Sequence, residues 1–94
     1  MREKLSDADV KSRLASVPGW TLNKDEISRT IKLDSFPAAL LLACAVGQLA
    51  QTADHHPDIL IKYVNVTFTL TTHDANGLTS NDFSLAQKIN ALLK

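Results

Sequence analysis

The chain of 94 residues contains little cysteine, glycine, proline or aromatic side chain, and it has no excess of charge of either sign. The single cysteine, Cys44, excludes an intrachain disulfide framework, and its apolar neighbours predict a small core residue. Lysine plus arginine number 10, as do aspartate plus glutamate, and no basic block occurs. This balance argues against direct binding to nucleic acid or to anionic lipid, which needs concentrated positive charge. No glycine-rich phosphate loop or G-x-S-x-G elbow is present either.

No segment predicts secretion or a membrane span. The first ten residues, MREKLSDADV, are charged and lack the apolar core of a signal peptide. The stretch from Ser35 to Ala53 carries no charge and is long enough to raise the question of a membrane helix. It is rich in alanine and contains Gln48 and Gln51, which keep its hydrophobicity modest. We therefore expect a single cytoplasmic domain over residues 1–94, with no membrane partner.

Apolar periodicity predicts an α+β domain. Ser6 caps a short first helix, in which Val10 and Leu14 form an apolar pair four residues apart. Alternating residues then predict a hairpin, a long helix capped by Ser35, two more strands and a last helix opened by Thr79. The order α-β-β-α-β-β-α predicts a four-stranded, mainly antiparallel sheet with helices packed on one face.

The long helix is apolar on every side. From Ala38 to Val46 no polar side chain interrupts it. A helix of this kind must be covered on more than one face, and the protein's own sheet covers only one. The sequence therefore predicts self-association through this helix, as a homodimer or a homotetramer.

The three histidines of the chain fall at the ends of secondary-structure elements. His55 and His56 end the long helix before Pro57, and His73 ends a strand on its polar, threonine-bearing face. If the helix end and the strand end meet, one pocket receives three imidazoles, beside Asp54. Groups that titrate near neutrality suit proton transfer in both directions. The alternative is that each histidine only caps helix carbonyls.

A metal site is a second alternative. Asp54, His55, His56 and His73 are all possible ligands. Adjacent residues on a helix, however, point about 100° apart, so the two neighbouring histidines do not converge on one ion. We predict no metal and no organic cofactor.

The same residues resemble the pterin-4a-carbinolamine dehydratase family. The resemblance rests on "DHHP" at 54–57, Tyr63, "TLTTHDANGL" at 69–78 and Asp82, with "GW" at 19–20. It spans nearly the whole chain and implies the same α-β-β-α-β-β-α fold. It also implies a substrate: this family removes water from a 4a-hydroxytetrahydropterin to give the quinonoid dihydropterin, in recycling of the pterin cofactor of aromatic amino acid hydroxylases.

The resemblance also implies roles for individual residues. His55, His56 and His73 would be the catalytic histidines. Asp54 would orient an imidazole or stabilise its charge. The hydroxyls of Thr71 and Thr72, on the threonine face, would bind the amide edge of the pterin. Trp20 and Asp82 would shape or complete the pocket. Trp20 alternatively reads as a core aromatic, and Asp82 as a helix-capping residue.

One position departs from the family pattern. Four residues before His55 the family usually carries an acidic or otherwise ionisable residue, and here it is Gln51. A carboxylate at that spacing would favour the protonated form of His55, whereas glutamine supplies no charge. The change bears on the level of activity more than on its kind.

The resemblance further implies assembly as a dimer or a dimer of dimers. Some animal relatives also act as dimerisation cofactors for a transcription factor. The alternative to an enzyme is therefore a noncatalytic interaction module that keeps the fold.

Overall fold

Three helices and four strands follow one another in the predicted order. The computed structural model describes residues 3–93. The elements are helix α1 (Asp7–Leu14), strands β1 (Thr21–Asn23) and β2 (Glu26–Lys32), helix α2 (Phe36–Ala53), strands β3 (Asp58–Lys62) and β4 (Asn65–Leu70), a one-turn 3-10 helix (His73–Ala75) and helix α3 (Ser80–Leu92). The predicted α+β fold class is confirmed.

The strands form one sheet in the order β1-β2-β4-β3, and all three pairings are antiparallel. The C-terminal end of β4 therefore lies between the first residues of its two neighbours. Leu70 pairs with Ile27 of β2, and Thr69 pairs with Asp58 of β3. As a result, the β1–β2 turn and the loop between α2 and β3 flank the exit of β4 from opposite sides.

One face of the sheet carries the hydrophobic core. Val66, Phe68 and Leu70 of β4 are fully buried, whereas the threonines between them are only half-buried. Helix α2 packs against β3 and β4, and helix α3 packs against α2 and contributes Phe83 and Ile89 to the same core. The period-2 alternation of β4 and the inner face of α3 thus match the predicted pattern.

Side-chain caps explain where the helices begin. The Ser6 hydroxyl accepts a hydrogen bond from the backbone N–H of Asp9 (3.2 Å), and the Ser35 hydroxyl accepts one from Ala38 (3.2 Å). Helix α2 ends at Asp54, which adopts a left-handed conformation (φ 52°). The chain therefore leaves the helix before the histidines instead of after them.

Helix α2 buries only one narrow stripe, consisting of Ala39, Val46 and Ala50. The opposite side exposes apolar residues, of which Leu41 is 71 % exposed. Cys44 lies on the exposed side, so its predicted position in the core is wrong. The sequence does not reveal which stripe of an entirely apolar helix faces the sheet. By length and composition (hydropathy 1.4 over 18 residues), α2 is the one helix among residues 3–93 that could cross a membrane.

Candidate active site

All three histidines line one cavity at the end of the sheet. The cavity measures about 180 Å³. The α2–β3 loop contributes one wall and the segment that follows β4 contributes the other. The lining residues are Asp54, His55, His56, Thr71, Thr72, His73 and Asp74. The antiparallel pairing of β3 with β4 brings these two segments together, because the start of one strand lies beside the end of the other.

His55 is buried and is held by a buried carboxylate. Its side chain is 6 % exposed, and its Nε2 lies 2.5 Å from Oδ1 of Asp82, which is fully buried. An ionised carboxylate only accepts hydrogen bonds, so Nε2 of His55 carries the proton and donates it. The arrangement fixes the tautomer and the ring orientation of His55. Its Nδ1 is the ring nitrogen that does not contact Asp82.

The second carboxylate oxygen of Asp82 is occupied as well. Oδ2 accepts from the Thr72 hydroxyl (2.8 Å) and from the backbone N–H of Thr79 (2.9 Å). The hydrogen of the Thr72 hydroxyl is thereby used, so the Thr79 hydroxyl, 2.9 Å away, must be the donor between the two threonines. Asp82 therefore caps α3 through a capping box and holds His55 at the same time.

This network changes the role expected of Thr72. Its side chain was predicted to bind the pterin through the threonine face, but it is 2 % exposed and its hydroxyl donates to Asp82. Strand β4 ends at Leu70, so the alternation of the strand no longer sets the direction of Thr72. Thr72 lines the cavity, but its hydroxyl donates to Asp82 and positions that carboxylate.

His56 has the opposite environment to His55. It is exposed, and its Nε2 lies 3.1 Å from Oε1 of Gln51. Gln51 was predicted to lie beside His55, and that prediction is wrong. The spacing argument assumed a helix that continues to His55, whereas the left-handed Asp54 turns the chain away from the helix axis.

His73 begins the one-turn 3-10 helix, three residues after β4 has ended. Thr72 and Gly77 form an isolated bridge that closes this loop, with N–H to O distances of 3.0 and 3.3 Å. Asn76 ends the turn in a left-handed conformation (φ 57°). His73 is exposed at the mouth of the cavity.

Thr71 holds the β1–β2 turn beside the site, where the turn forms a second wall. Its hydroxyl donates to the backbone carbonyl of Asp25 in the β1–β2 turn (2.6 Å). A larger cavity, of about 380 Å³, opens on that side and shares Thr71, Thr72 and His73 with the histidine cavity. The turn residues were not predicted to belong to the site. The signal for them lay in the pairing of β2 with β4, which no local pattern reports.

Trp20 is a core residue and lines neither cavity. It is 6 % exposed, and its indole N–H donates to Oδ1 of Asn90 (2.8 Å). Asn90 also accepts from Arg29 (2.6 Å) and donates to the carbonyl of Pro18 (3.0 Å). The prediction that Trp20 shapes the pocket is not supported. The core alternative agrees with its hydrogen bond to α3.

The donor arrangement gives no support to the metal alternative. Among residues 3–93, no group of three or more His, Cys, Asp or Glu side chains is placed to hold one ion. His55 is directed to Asp82 and His56 to Gln51.

Comparisons with known proteins show which family the chain resembles. Residues 3–92 match the family described as pterin 4 alpha carbinolamine dehydratase. A relative from Nocardia farcinica, provisionally named as such a dehydratase, is 49 % identical over 92 residues, which cover 98 % of this chain and 97 % of that protein. Another from Roseiflexus sp., with the same provisional name, is 47 % identical over 93 residues, covering 99 % and 100 %.

A solved structure has the same fold. It is the crystal structure of a transcriptional coactivator/pterin dehydratase from Brucella melitensis, with a TM-score of 0.92 and 30 % identity, covering 98 % of this chain and all of that one.

Proposed function

Because this chain belongs to the pterin 4 alpha carbinolamine dehydratase family, we propose that it is a hydro-lyase that removes water from a 4a-hydroxytetrahydropterin. The product is the quinonoid dihydropterin, and the reaction serves recycling of a tetrahydropterin cofactor. The observation that carries the proposal is the convergence of three imidazoles on one cavity. The proposed location is the cytoplasm.

The chemistry requires two proton transfers. A proton is delivered to the hydroxyl oxygen on C4a, the C4a–O bond breaks and water leaves. The proton on N5 is then removed, and its electron pair forms the C4a–N5 double bond. Imidazoles act as both acid and base near neutral pH, so the reaction needs no metal and no organic cofactor.

The two environments of the adjacent histidines fit different tasks. His55 is fixed by Asp82, which suits a group whose position must not vary. His56 and His73 are exposed at the cavity and are free to meet solvent and substrate. Asp54 lines the same cavity and supports the imidazoles electrostatically. Thr71 retains only acceptor capacity towards the pterin, because its hydrogen is given to Asp25.

Self-association is part of the proposal. The exposed side of α2 carries Phe36 (45 % exposed), Leu40 (43 %) and Leu41 (71 %). Contiguous apolar surface of this kind marks an interaction site. A second copy of the chain, in a homodimer or a homotetramer, would cover it. Sedimentation equilibrium of the wild type and of Leu41→Glu tests this, because the charge should dissociate the assembly.

The second candidate function is a noncatalytic interaction module. It is favoured by the same apolar face of α2 and by the name of the Brucella protein, which is called a transcriptional coactivator as well as a pterin dehydratase. The two candidate functions differ in whether they require the histidines. A module should tolerate His56→Ala and respond only to changes on α2.

The test of the enzyme is the loss of 4a-hydroxytetrahydropterin over time, followed by absorbance. The substrate is generated in place by an aromatic amino acid hydroxylase. We expect the wild type to exceed the spontaneous rate and His55→Ala, His56→Ala and His73→Ala to lose about 100-fold or more. Lys88→Ala, which is exposed on α3 and lines neither cavity, is the control. A folded wild type without any acceleration would leave only the module.

A further inference from the structure

Thr79 is a buried residue that lines neither cavity and yet belongs to the network that holds His55. It is 1 % exposed. The sequence shows it only as the residue that opens α3, and its hydroxyl does accept a hydrogen bond from the backbone N–H of Asn81 (3.3 Å) in the first turn of that helix. The same hydroxyl lies 2.9 Å from the hydroxyl of Thr72. Thr79 therefore has a contact that capping of the helix does not require.

The hydrogen bonds from α3 to the carboxylate all run in one direction. The Asn81 N–H donates to the Thr79 hydroxyl, which donates to the Thr72 hydroxyl. The Thr72 hydroxyl in turn donates to Oδ2 of Asp82, whose other oxygen accepts from Nε2 of His55. A hydroxyl that accepts one hydrogen bond becomes a better donor of the next, so such a chain is stronger than its separate links.

This chain of hydrogen bonds joins three segments of the fold. His55 lies in the α2–β3 loop, Thr72 follows β4, and Thr79 and Asp82 belong to the start of α3. His73 directly follows Thr72 in the sequence. The chain therefore sets the position of His55 relative to His73, on the two walls of the histidine cavity.

The network has no spare partner for an atom that loses its own. Throughout residues 3–93, every fully buried side-chain nitrogen and oxygen has a hydrogen-bond partner. Without the Thr79 hydroxyl, the buried oxygen of Thr72 would lose its donor. A buried polar atom without a partner is costly, so its surroundings shift to satisfy it. A shift of Thr72 changes the hydrogen bond that it donates to Asp82, and with it the support of His55.

We propose that the hydroxyl of Thr79 positions His55 for the dehydration, through Thr72 and Asp82. This inference rests on the proposed dehydratase function and deepens it, because it adds a positioning residue to the site. Thr79 does not touch the substrate, since it lines neither cavity. Loss of its hydroxyl should therefore lower kcat and leave KM unchanged. A residue that only caps α3 would affect the free energy of unfolding and neither kinetic constant.

The first experiment compares kcat and KM for the wild type, Thr79→Val and Thr79→Ser. Valine keeps the shape of the side chain and the backbone N–H that donates to Asp82, and it removes only the hydroxyl. We expect kcat to fall about 5-fold, the factor that corresponds to one hydrogen bond, with KM within about twofold of the wild type. Serine retains the hydroxyl and should recover most of kcat. A valine variant with the wild-type kcat, or a serine variant as slow as the valine variant, overturns the proposal.

The matched control is Ser6→Ala, which removes the cap of another helix. Ser6 caps α1 through a hydrogen bond from the backbone N–H of Asp9 (3.2 Å), and it lines neither cavity. Its loss should lower the stability of the fold, as the loss of a cap does, without changing kcat. If Ser6→Ala and Thr79→Val lower kcat equally, the effect comes from a weakened helix start, and the proposal is wrong.

The second experiment observes the His55 ring by NMR, in protein isotopically labelled in its histidine side chains. The ring nitrogen that bears hydrogen is distinct from the one that does not, and His55→Ala identifies the signals. Above the pH range in which imidazole ordinarily titrates, we expect hydrogen on Nε2 in the wild type, exchanging slowly with solvent. Exchange should be several-fold faster in Thr79→Val and close to the wild type in Thr79→Ser. Equal exchange in the valine variant and the wild type overturns the proposal.

Failure of the function and failure of this inference are distinguishable. If the folded wild type does not accelerate dehydration, the dehydratase falls, and the spectra alone decide whether Thr79 positions His55. If the wild type is active and Thr79→Val keeps its kcat and its slow exchange, only the positioning role falls. Should the valine variant not fold, Thr79→Ala, which places no methyl group against the Thr72 oxygen, replaces it in both experiments. Fast exchange of the His55 ring hydrogen in the wild type overturns the inference whichever variant folds.

Discussion

His55 and His56 are neighbours in the chain and opposites in the structure. His55 is buried and bound to a buried carboxylate, whereas His56 is exposed and its Nε2 lies 3.1 Å from Oε1 of Gln51. The difference arises from one residue, Asp54, whose left-handed conformation ends α2 and turns the next two side chains to different surroundings. Two adjacent residues of one sequence motif can therefore have different environments: one side chain is held in position and the other is accessible to solvent.

The largest effect that tests this contrast is expected at Asp82. Asp82→Ala leaves the His55 imidazole, the Thr72 hydroxyl and the Thr79 N–H buried without their acceptor. We expect the free energy of unfolding to fall by about 3 kcal/mol or more, measured in urea. Asp34→Ala, at an exposed aspartate, should change it by less than about 0.5 kcal/mol. Equal effects of the two substitutions would refute the structural role of Asp82.

Substitutions of the two histidines should differ in their effect on the free energy of unfolding. His55→Ala removes one partner of a buried pair and should cost about 2 kcal/mol, whereas His56→Ala should cost less than about 0.5 kcal/mol. Both are measured by the same urea titration. A larger cost at His56 than at His55 would mean that the two environments are assigned the wrong way round.

A smaller effect is expected at Thr72. Thr72→Val keeps the shape of the side chain but removes the donor to Asp82 and the acceptor for Thr79. We expect a loss of about 1–2 kcal/mol in the free energy of unfolding. Thr72→Ser retains the hydroxyl and should recover most of the loss. If the serine variant is as unstable as the valine variant, the hydroxyl is not the reason.

The smallest effect is expected at Gln51. Gln51→Glu places a carboxylate beside His56 and favours its protonated form, so the limb of the pH–rate profile that depends on His56 should move to higher pH. At an exposed pair we expect a shift of about half a pH unit. Gln48→Glu, exposed one turn earlier on α2, is the matched control. A shift that is absent, or equal in the control, would show that Gln51 does not act on His56.

Much of the fold was accessible from the sequence, because local patterns decide it. The alternation of β4 and the caps at Ser6, Ser35 and Thr79 depend on neighbours in the chain, and the structure agrees with them. The position of Cys44 was not accessible. It depends on which stripe of α2 faces the sheet, and the sequence of an entirely apolar helix does not predict which stripe that is.

The site was accessible only in part for a related reason. The sequence predicted one pocket for His55, His56 and His73 on the condition that the helix end and the strand end meet, and the structure places the three on one cavity. The partner of each side chain depended on φ at Asp54 and on the point where β4 ends. The spacing of residues predicts neither φ at Asp54 nor the last residue of β4. For this reason the roles expected of Gln51 and Thr72 needed correction.

The measurement that tests the central claim most directly is the dehydration rate of His56→Ala. This variant is expected to fold like the wild type, so a change in rate reports chemistry and not stability. The account predicts an unfolding midpoint close to that of the wild type and a loss of about 100-fold in the catalysed rate. A wild-type rate in a variant that is equally stable would contradict histidine catalysis at this cavity.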